Sequence, residues 1–209
     1  MKKSRTVQLD WTAVLAEQAR HSDVIDVGRI TAKYGVPARS AWRALTRLAD
    51  RGLISRVKRG VYLNKLVQDF SALDFVNILN PHSYVSLESA LSHWGVSTQS
   101  PVTLTCVTDG KPKQYRSTEF SIGFRKISKE LFWGFIEKQT RYSKYRIAEP
   151  EKAILDWIYL SLQSGLTPHL DELVLKTIDR QRLLDYVAKY PTTVRNVLAH
   201  SITFEHYAA

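Results

Sequence analysis

Apolar residues recur at helical spacing three times within the first fifty positions of the chain. The first repeat follows Asp10, whose carboxylate can accept hydrogen bonds from the exposed amides of a helix start. The second and third repeats stop at Gly35 and Gly52, and glycine favours the left-handed backbone that closes a helix. This pattern predicts helices over residues 11–20, 28–34 and 37–51, with a short strand or extended segment at residues 24–27.

The third predicted helix carries its apolar and basic residues on two separate faces. At about 100° per residue, the apolar side chains fall within a sector of roughly 100°. They are Ala41, Ala44, Leu45 and Leu48. Arg39, Arg43 and Arg47 follow at intervals of four residues and occupy a sector of their own. One face of this helix is therefore predicted to pack, and the other to present three guanidinium groups.

A row of arginines is often only a solvated helix face, so its neighbours decide how it is interpreted. No acidic residue stands four positions from any of the three, and the row would repel itself unless an external anion compensates it. The phosphates of duplex DNA provide such anions, and an arginine fork can also bind guanine in the major groove.

A hairpin is predicted directly after this helix. Residues 53–57 and 61–63 are rich in β-forming side chains and flank a turn that contains Gly60. The turn carries Lys58 and Arg59, with Arg56 nearby. A charged turn can serve solubility alone, but the arginine row just upstream favours contact with a nucleic acid backbone.

This order of elements resembles the winged helix-turn-helix family. The docking geometry of that family implies that the third helix enters the major groove with its N-terminal residues toward the base edges. Candidate base contacts are then Arg39, Ser40 and Arg43, and candidate phosphate contacts are Arg47, Arg56, Lys58 and Arg59.

The remainder of the chain mixes helical and extended patterns. Helices are predicted within residues 68–79, 84–95 and 149–160, with two or three more between residues 169 and 197. The β-rich stretches are residues 102–107, 118–127 and 142–147. The predicted fold class is α+β: a winged helix-turn-helix domain at residues 1–66, then a domain at residues 67–209 with helices packed on a small antiparallel sheet.

Charge supports this division of the chain. The protein has 209 residues and a formal net charge of +10. Residues 1–65 contain 14 Lys and Arg against 5 Asp and Glu, whereas the remainder is almost neutral. A basic protein can also bind an anionic membrane surface, but no apolar run reaches the length of about 18 residues that a span needs. With a single cysteine and no signal-like start, we expect a cytoplasmic protein.

Two segments of the second part resemble the AbiEi family of antitoxins and transcriptional regulators. They are Tyr84–Gly95, with the sequence YVSLESALSHWG, and Ala148–Asp156, with the sequence AEPEKAILD. The resemblance implies a repressor that binds double-stranded DNA at inverted repeats in its own promoter. It also implies a neighbouring nucleotidyltransferase-like toxin, whose effect the C-terminal domain counteracts without a stable complex.

We expect no enzymatic activity, cofactor or metal site. The six histidines form no pair at i, i+4 with a nearby carboxylate. Glu88 and Asp109-Gly110-Lys111 have a nuclease-like spacing, but Asp-Gly is also a common hairpin turn. Cys106 lies in an apolar β run and is expected to be an inert core thiol.

The acidic residues Glu149 and Glu151, with Lys152, open a predicted helix, where a structural role at the helix dipole is favoured over a catalytic one. Two functions remain open from the sequence. One is an autoregulating antitoxin, and the other is a stand-alone transcription factor with a C-terminal sensing or dimerisation domain. No residue of an antitoxic surface can be named from the sequence.

Overall fold

The computed structural model describes residues 9–201, and its N-terminal part follows the predicted order of elements. The elements are α1 (Trp11–Ala19), β1 (Val24–Asp26), α2 (Val27–Tyr34), α3 (Ala38–Asp50), β2 (Ile54–Lys58) and β3 (Val61–Asn64). The Asp10 carboxylate accepts hydrogen bonds from the amides of Thr12 and Ala13, as the sequence predicts. Gly35 closes α2 in the left-handed conformation, with φ at 62°. The three strands form an antiparallel sheet in the order β1-β3-β2, and this arrangement is consistent with a helix-turn-helix.

The rest of the chain, which we call the body, forms a larger mixed α and β unit. Its helices are α4 (Leu73–Leu79), α5 (Leu87–His93), α6 (Pro150–Gln163), α7 (Arg180–Val187) and α8 (Thr192–Ser201). Its strands are β4 (Tyr84–Val85), β5 (Thr103–Thr108), β6 (Lys113–Arg116), β7 (Ser121–Lys126), β8 (Phe135–Gln139) and β9 (Lys144–Ala148). Short 3-10 turns occupy Lys129–Leu131, Leu170–Glu172 and Leu175–Thr177. None of the helices described between residues 9 and 201 is long and apolar enough to cross a membrane.

The prediction of a small antiparallel sheet in the body is wrong. The sheet has six strands in the order β6-β7-β5-β4-β9-β8, and the pairs β5/β7 and β4/β9 run parallel. The alternation of apolar and polar residues shows which face a side chain takes, but it does not show which strand lies alongside. Strand β7 lies between β5 and β6, parallel to β5 and antiparallel to β6. The edge strands β6 and β8 are largely exposed, and their sequences lack the alternation that would have predicted them.

The small sheet of the N-terminal part lies between two hydrophobic cores. On one face Ile25, Ile54 and Tyr62 pack with the apolar faces of α1, α2 and α3. On the other face Val24, Val57, Val61 and Leu63 belong to the main core of the body. The predicted domain boundary at residue 66 therefore separates elements that share a packed sheet.

Polar contacts join the same two parts. The hydroxyls of Ser55 on β2 and Thr118 in the β6–β7 turn are 3.0 Å apart. The Lys65 ammonium lies 3.0 Å from the Glu119 carboxylate. A third contact runs from the Lys58 ammonium to the carbonyl of Ile78 in α4, at 2.8 Å. Strand β2 is thus held against the body along its length.

Helix α6 passes through the core of the body, as its apolar sequence predicts. It also carries a buried ion pair, in which the Lys152 ammonium donates to the Asp156 carboxylate. Tyr84, Ser86 and Tyr190 donate their hydroxyl protons to the same carboxylate at 2.7–2.9 Å. Burial lowers the pKa of Lys152 and raises the pKa of Tyr84 and of Tyr190 well above its ordinary value.

The acidic residues at the start of α6 are also engaged in packing contacts. Glu149 accepts a hydrogen bond from the Tyr186 hydroxyl at 2.5 Å, and Glu151 accepts one from the Asp179 amide at 2.8 Å. These contacts tie α6 to α7 and support the structural interpretation of the segment. Cys106 is fully buried, and burial raises the pKa of its thiol far above the ordinary range.

Candidate nucleic-acid interface

Helix α3 presents the two faces that its sequence predicts. Ala41, Ala44, Leu45 and Leu48 are buried against α1, α2 and the small sheet. The side chains of Arg39, Ser40, Arg43 and Arg47 are exposed to solvent. Within residues 9–201 none of these three arginines forms an ion pair. The face is therefore a row of uncompensated positive charge.

The start of α3 adds to this positive field. Pro37 is the N-cap residue, where the sequence predicted it inside the first turn, and no side chain caps the helix. The first turn contains no acidic residue. Uncapped amides at a helix start attract anions, because the aligned peptide dipoles place partial positive charge there. Arg39 and Ser40 lie in this first turn.

The β2–β3 hairpin lies beside the N-terminal half of α3. Its turn contains Gly60, at a φ of 83°, and a Cβ built there would stand 3.7 Å from the Trp42 ring. The Gly60 carbonyl accepts a hydrogen bond from the Val27 amide at 3.0 Å, which fixes the turn to the start of α2. Arg56 and Arg59 are exposed on this hairpin. The fold thus places the basic turn beside Trp42 of α3, the residue that precedes Arg43.

Lys58 is placed differently from its basic neighbours. Its ammonium bonds the Ile78 carbonyl near the end of α4, and its side chain is only partly exposed. Burial lowers the pKa of Lys58; the Asp26 carboxylate opposes this shift, and the positive charge of Lys113 adds to it. The bond to Ile78 uses one of the three ammonium protons and holds the side chain toward the body. The predicted role of Lys58 in DNA binding stays a prediction.

The N-terminal elements match a known family. Residues 13–65 fit the family model described as "Transcriptional regulator, AbiEi antitoxin". We call this segment the AbiEi-type domain, after the family whose model it resembles. The match confirms the resemblance to AbiEi and covers about a quarter of the chain, from α1 to the start of the linker after β3. No curated protein matches the sequence.

The family match lies outside the two segments that carried the resemblance in the sequence. Those segments form β4 with α5, and the end of β9 with the first half of α6. They meet in the structure, because the Asp156 carboxylate of the second accepts hydrogen bonds from Tyr84 and Ser86 of the first. The two segments therefore contribute Tyr84, Ser86 and Asp156 to the buried polar cluster around Lys152.

An open groove in the AbiEi-type domain was not predicted. It has a volume of about 550 Å³ and lies between the start of α1 and the second half of α3. Arg47 and Arg51 form part of its wall, opposite Asp10 and Trp11. Arg51 is exposed and extends the basic surface past the end of α3. Its position at the end of the i, i+4 series 39, 43, 47 could have revealed it.

The nuclease-like pair is not brought together. Ser89, next to Glu88, bonds Thr103 and Thr105 at the start of β5, whereas Asp109 follows the end of that strand. Asp109 is paired with His82 instead, at 2.6 Å. Within residues 9–201 no three His, Cys, Asp or Glu side chains form a group that could hold a metal ion.

Proposed function

We propose that this protein is a DNA-binding transcriptional repressor whose AbiEi-type domain is a winged helix-turn-helix. The observation that carries the proposal is the exposed, unpaired arginine row on α3, beside a basic hairpin turn. The order of α2, turn, α3 and hairpin, with β1 paired to β3, supports the wing assignment. The family description supports a role in regulation.

The proposed interface divides into base and phosphate contacts. Helix α3 enters the major groove by its first turns, which places Arg39, Ser40 and Arg43 at base edges. Arg47 and the hairpin residues Arg56 and Arg59 contact phosphates, with Lys58 as a further candidate through the ammonium protons that do not bond Ile78. Phosphate contacts provide most of the affinity and its dependence on salt, and base contacts provide the sequence preference.

The regulated promoter is proposed to be the protein's own, at inverted repeats, and the protein is proposed to act in the cytoplasm as a non-catalytic regulator. The body is proposed to counteract a nucleotidyltransferase-like toxin encoded nearby. The description of the matched family as an antitoxin supports this second role. No residue of the body is assigned to it.

The test of DNA binding uses the full chain, since the small sheet shares the core of the body. We expect the protein to shift a duplex from its own upstream region and to lose that shift in the Arg43→Gln, Arg47→Gln double variant. Lys176→Gln with Lys189→Gln removes the same charge from exposed positions of the C-terminal segment and serves as the matched control. Equal binding by both double variants would contradict the proposed interface.

The test of the antitoxin role uses growth of cells that express the neighbouring toxin from an independent promoter. The arginine double variant is expected to restore growth although it no longer represses, because its substitutions lie opposite the packing face of α3. Failure of that folded and equally abundant variant to rescue growth would show that toxin neutralisation requires DNA binding.

A second candidate function is a stand-alone transcription factor with a sensing body. The observation that favours it is a cavity of about 220 Å³ between α5, α6 and the Leu170–Glu172 turn. Glu88, Trp157 and Glu172 contribute to its wall, and Trp157 is only partly buried there. Absence of a toxin gene beside the promoter, with DNA binding intact, would favour this function.

A further inference from the structure

The body places its own cations beside the hairpin of the proposed DNA interface. Strands β2 and β6 are edge strands of their respective sheets, and they lie alongside each other. The contacts of Ser55 with Thr118 and of Lys65 with Glu119 hold β2 against the turn that follows β6. Because Thr118 meets Ser55 and Glu119 meets Lys65, which lies beside Leu53, β6 runs back along β2 toward the tip of the hairpin. Lys113, the first residue of β6, thus lies toward Lys58, and its positive charge lowers the pKa of Lys58.

Lys113 and its neighbour Lys111 are free cations. Both side chains are exposed, and within residues 9–201 neither forms an ion pair. Lys58, which the sequence assigned to the phosphates, instead bonds the Ile78 carbonyl. At this end of the hairpin Lys58 is only partly exposed, whereas the exposed ammonium groups belong to the body.

We propose that Lys111 and Lys113 of the body contact the phosphates of the DNA bound by α3 and the hairpin. The inference rests on the proposed function and extends the interface beyond the segment that matches the AbiEi family. Charge complementarity is the argument for duplex DNA as the occupant, because the lysines continue a basic surface already formed by Arg56 and Arg59.

The alternative is that lysines on an exposed edge strand only prevent pairing with another sheet. Strand β6 itself supplies the control that separates the two explanations. Successive side chains of a strand point to opposite faces, so Arg116 lies on the face of Gln114, to which it donates a hydrogen bond at 3.2 Å. Lys113 lies on the other face, with Tyr115. Charged side chains on either face of β6 can prevent pairing with another sheet. A phosphate contact at the hairpin, by contrast, requires a cation only on the face of Lys113.

The experiment measures binding of the full-length protein to a random-sequence duplex of about 30 base pairs at several salt concentrations. Phosphate contacts do not depend on the sequence, so no operator is needed. For Lys111→Gln with Lys113→Gln we expect the slope of log affinity against log salt to fall by about two units, roughly one for each lysine. Arg116→Gln and Lys176→Gln are expected to keep the wild-type slope. Unchanged thermal melting of all variants will show that each is folded.

Two results would overturn the inference while the proposed function stands. One is a wild-type slope of log affinity against log salt in the lysine double variant, while the Arg43→Gln, Arg47→Gln variant is still impaired in DNA binding. The other is a slope for Arg116→Gln that falls by about one unit, as far as expected for each lysine of the double variant, which would indicate a diffuse charge effect. A wild-type protein that binds no duplex at any salt concentration would overturn both proposals.

Discussion

Helices α3 and α6 use charge in opposite ways. On α3 the arginines are exposed and have no ionic partner among the described residues. On α6 Lys152 and Asp156 are fully buried, and three hydroxyl groups complete their hydrogen bonds. A buried charge must be satisfied within the protein, whereas an exposed, unpaired row remains available to an external partner. Substitutions on α6 should therefore affect folding, and substitutions on α3 should affect binding.

The largest effect is expected from Asp156→Ala. This change leaves the Lys152 ammonium buried without its counterion and removes the acceptor of Tyr84, Ser86 and Tyr190. Breaking a buried ion pair from one side costs about 3 to 5 kcal/mol of unfolding free energy. Urea denaturation followed by circular dichroism measures it. A loss below about 1 kcal/mol would show that water or rearrangement satisfies Lys152, and the contrast with α3 would fail.

The next effect is expected in binding, from Arg43→Lys. Lysine keeps the positive charge but lacks the planar fork that binds a guanine edge through two hydrogen bonds. We expect the affinity for a selected operator to fall by about 1 to 3 kcal/mol, with little change for random duplex. Competition titrations with both duplexes give the two values. An equal loss on both would place Arg43 at a phosphate instead.

A smaller effect concerns Asp23, which is buried at the junction but lacks a full set of partners. Its Oδ2 accepts from the Ser71 amide at 3.1 Å, whereas its Oδ1 has no hydrogen-bond partner. Burial raises the pKa of Asp23 to about 7, and the nearby Asp74 carboxylate raises it too. The folded state therefore binds a proton more tightly than the unfolded chain. The contribution of Asp23 to stability is therefore greatest below its ordinary pKa and is lost as the pH rises toward and through 7.

We expect the unfolding free energy to decrease by roughly 1 kcal/mol between pH 6 and pH 8. Asp23→Asn cannot ionise and should reduce this decrease. The measurement is urea denaturation of both proteins at the two pH values, and equal pH dependence in the two would exclude Asp23 as its source.

The smallest effect is expected on the stability of the Arg43→Gln, Arg47→Gln double variant. Both side chains are exposed and lie away from the packed face of α3, so the unfolding free energy should stay within about 0.5 kcal/mol of wild type. The same variant is the one expected to lose DNA binding. Destabilisation by more than about 1 kcal/mol would mean that the arginines also support the fold.

Local signals in the sequence predicted the N-terminal elements well, because each depends on nearby residues. Asp10 caps α1 through amides two and three positions away, and Gly35 closes α2 by its own backbone conformation. The two faces of α3 also follow from spacing alone. By contrast, the position of the Lys58 ammonium depends on its hydrogen bond to the carbonyl of Ile78, twenty residues further along the chain. No short-range pattern contains that contact.

The architecture of the body was less accessible for the same reason. Lys152 and Asp156 stand at i, i+4, so their pairing is visible in the sequence. Tyr84 and Tyr190, which complete the cluster, come from remote segments. Strand β6 contains the exposed sequence KQYR and pairs only through the path of its neighbours, so both the strand and its position beside the hairpin required the structure.

The small sheet between the two cores has a consequence for how such proteins diversify. Along β3, Val61 and Leu63 must fit the body, while Tyr62 between them must fit α1 to α3. An AbiEi-type domain transplanted from a related protein would therefore present to the body one face that is shaped for its former neighbour. Recombination between family members should succeed when the exchanged segment carries α4 and the β6–β7 turn together with the domain. Under the proposed function, exchange of operator preference needs only the exposed face of α3.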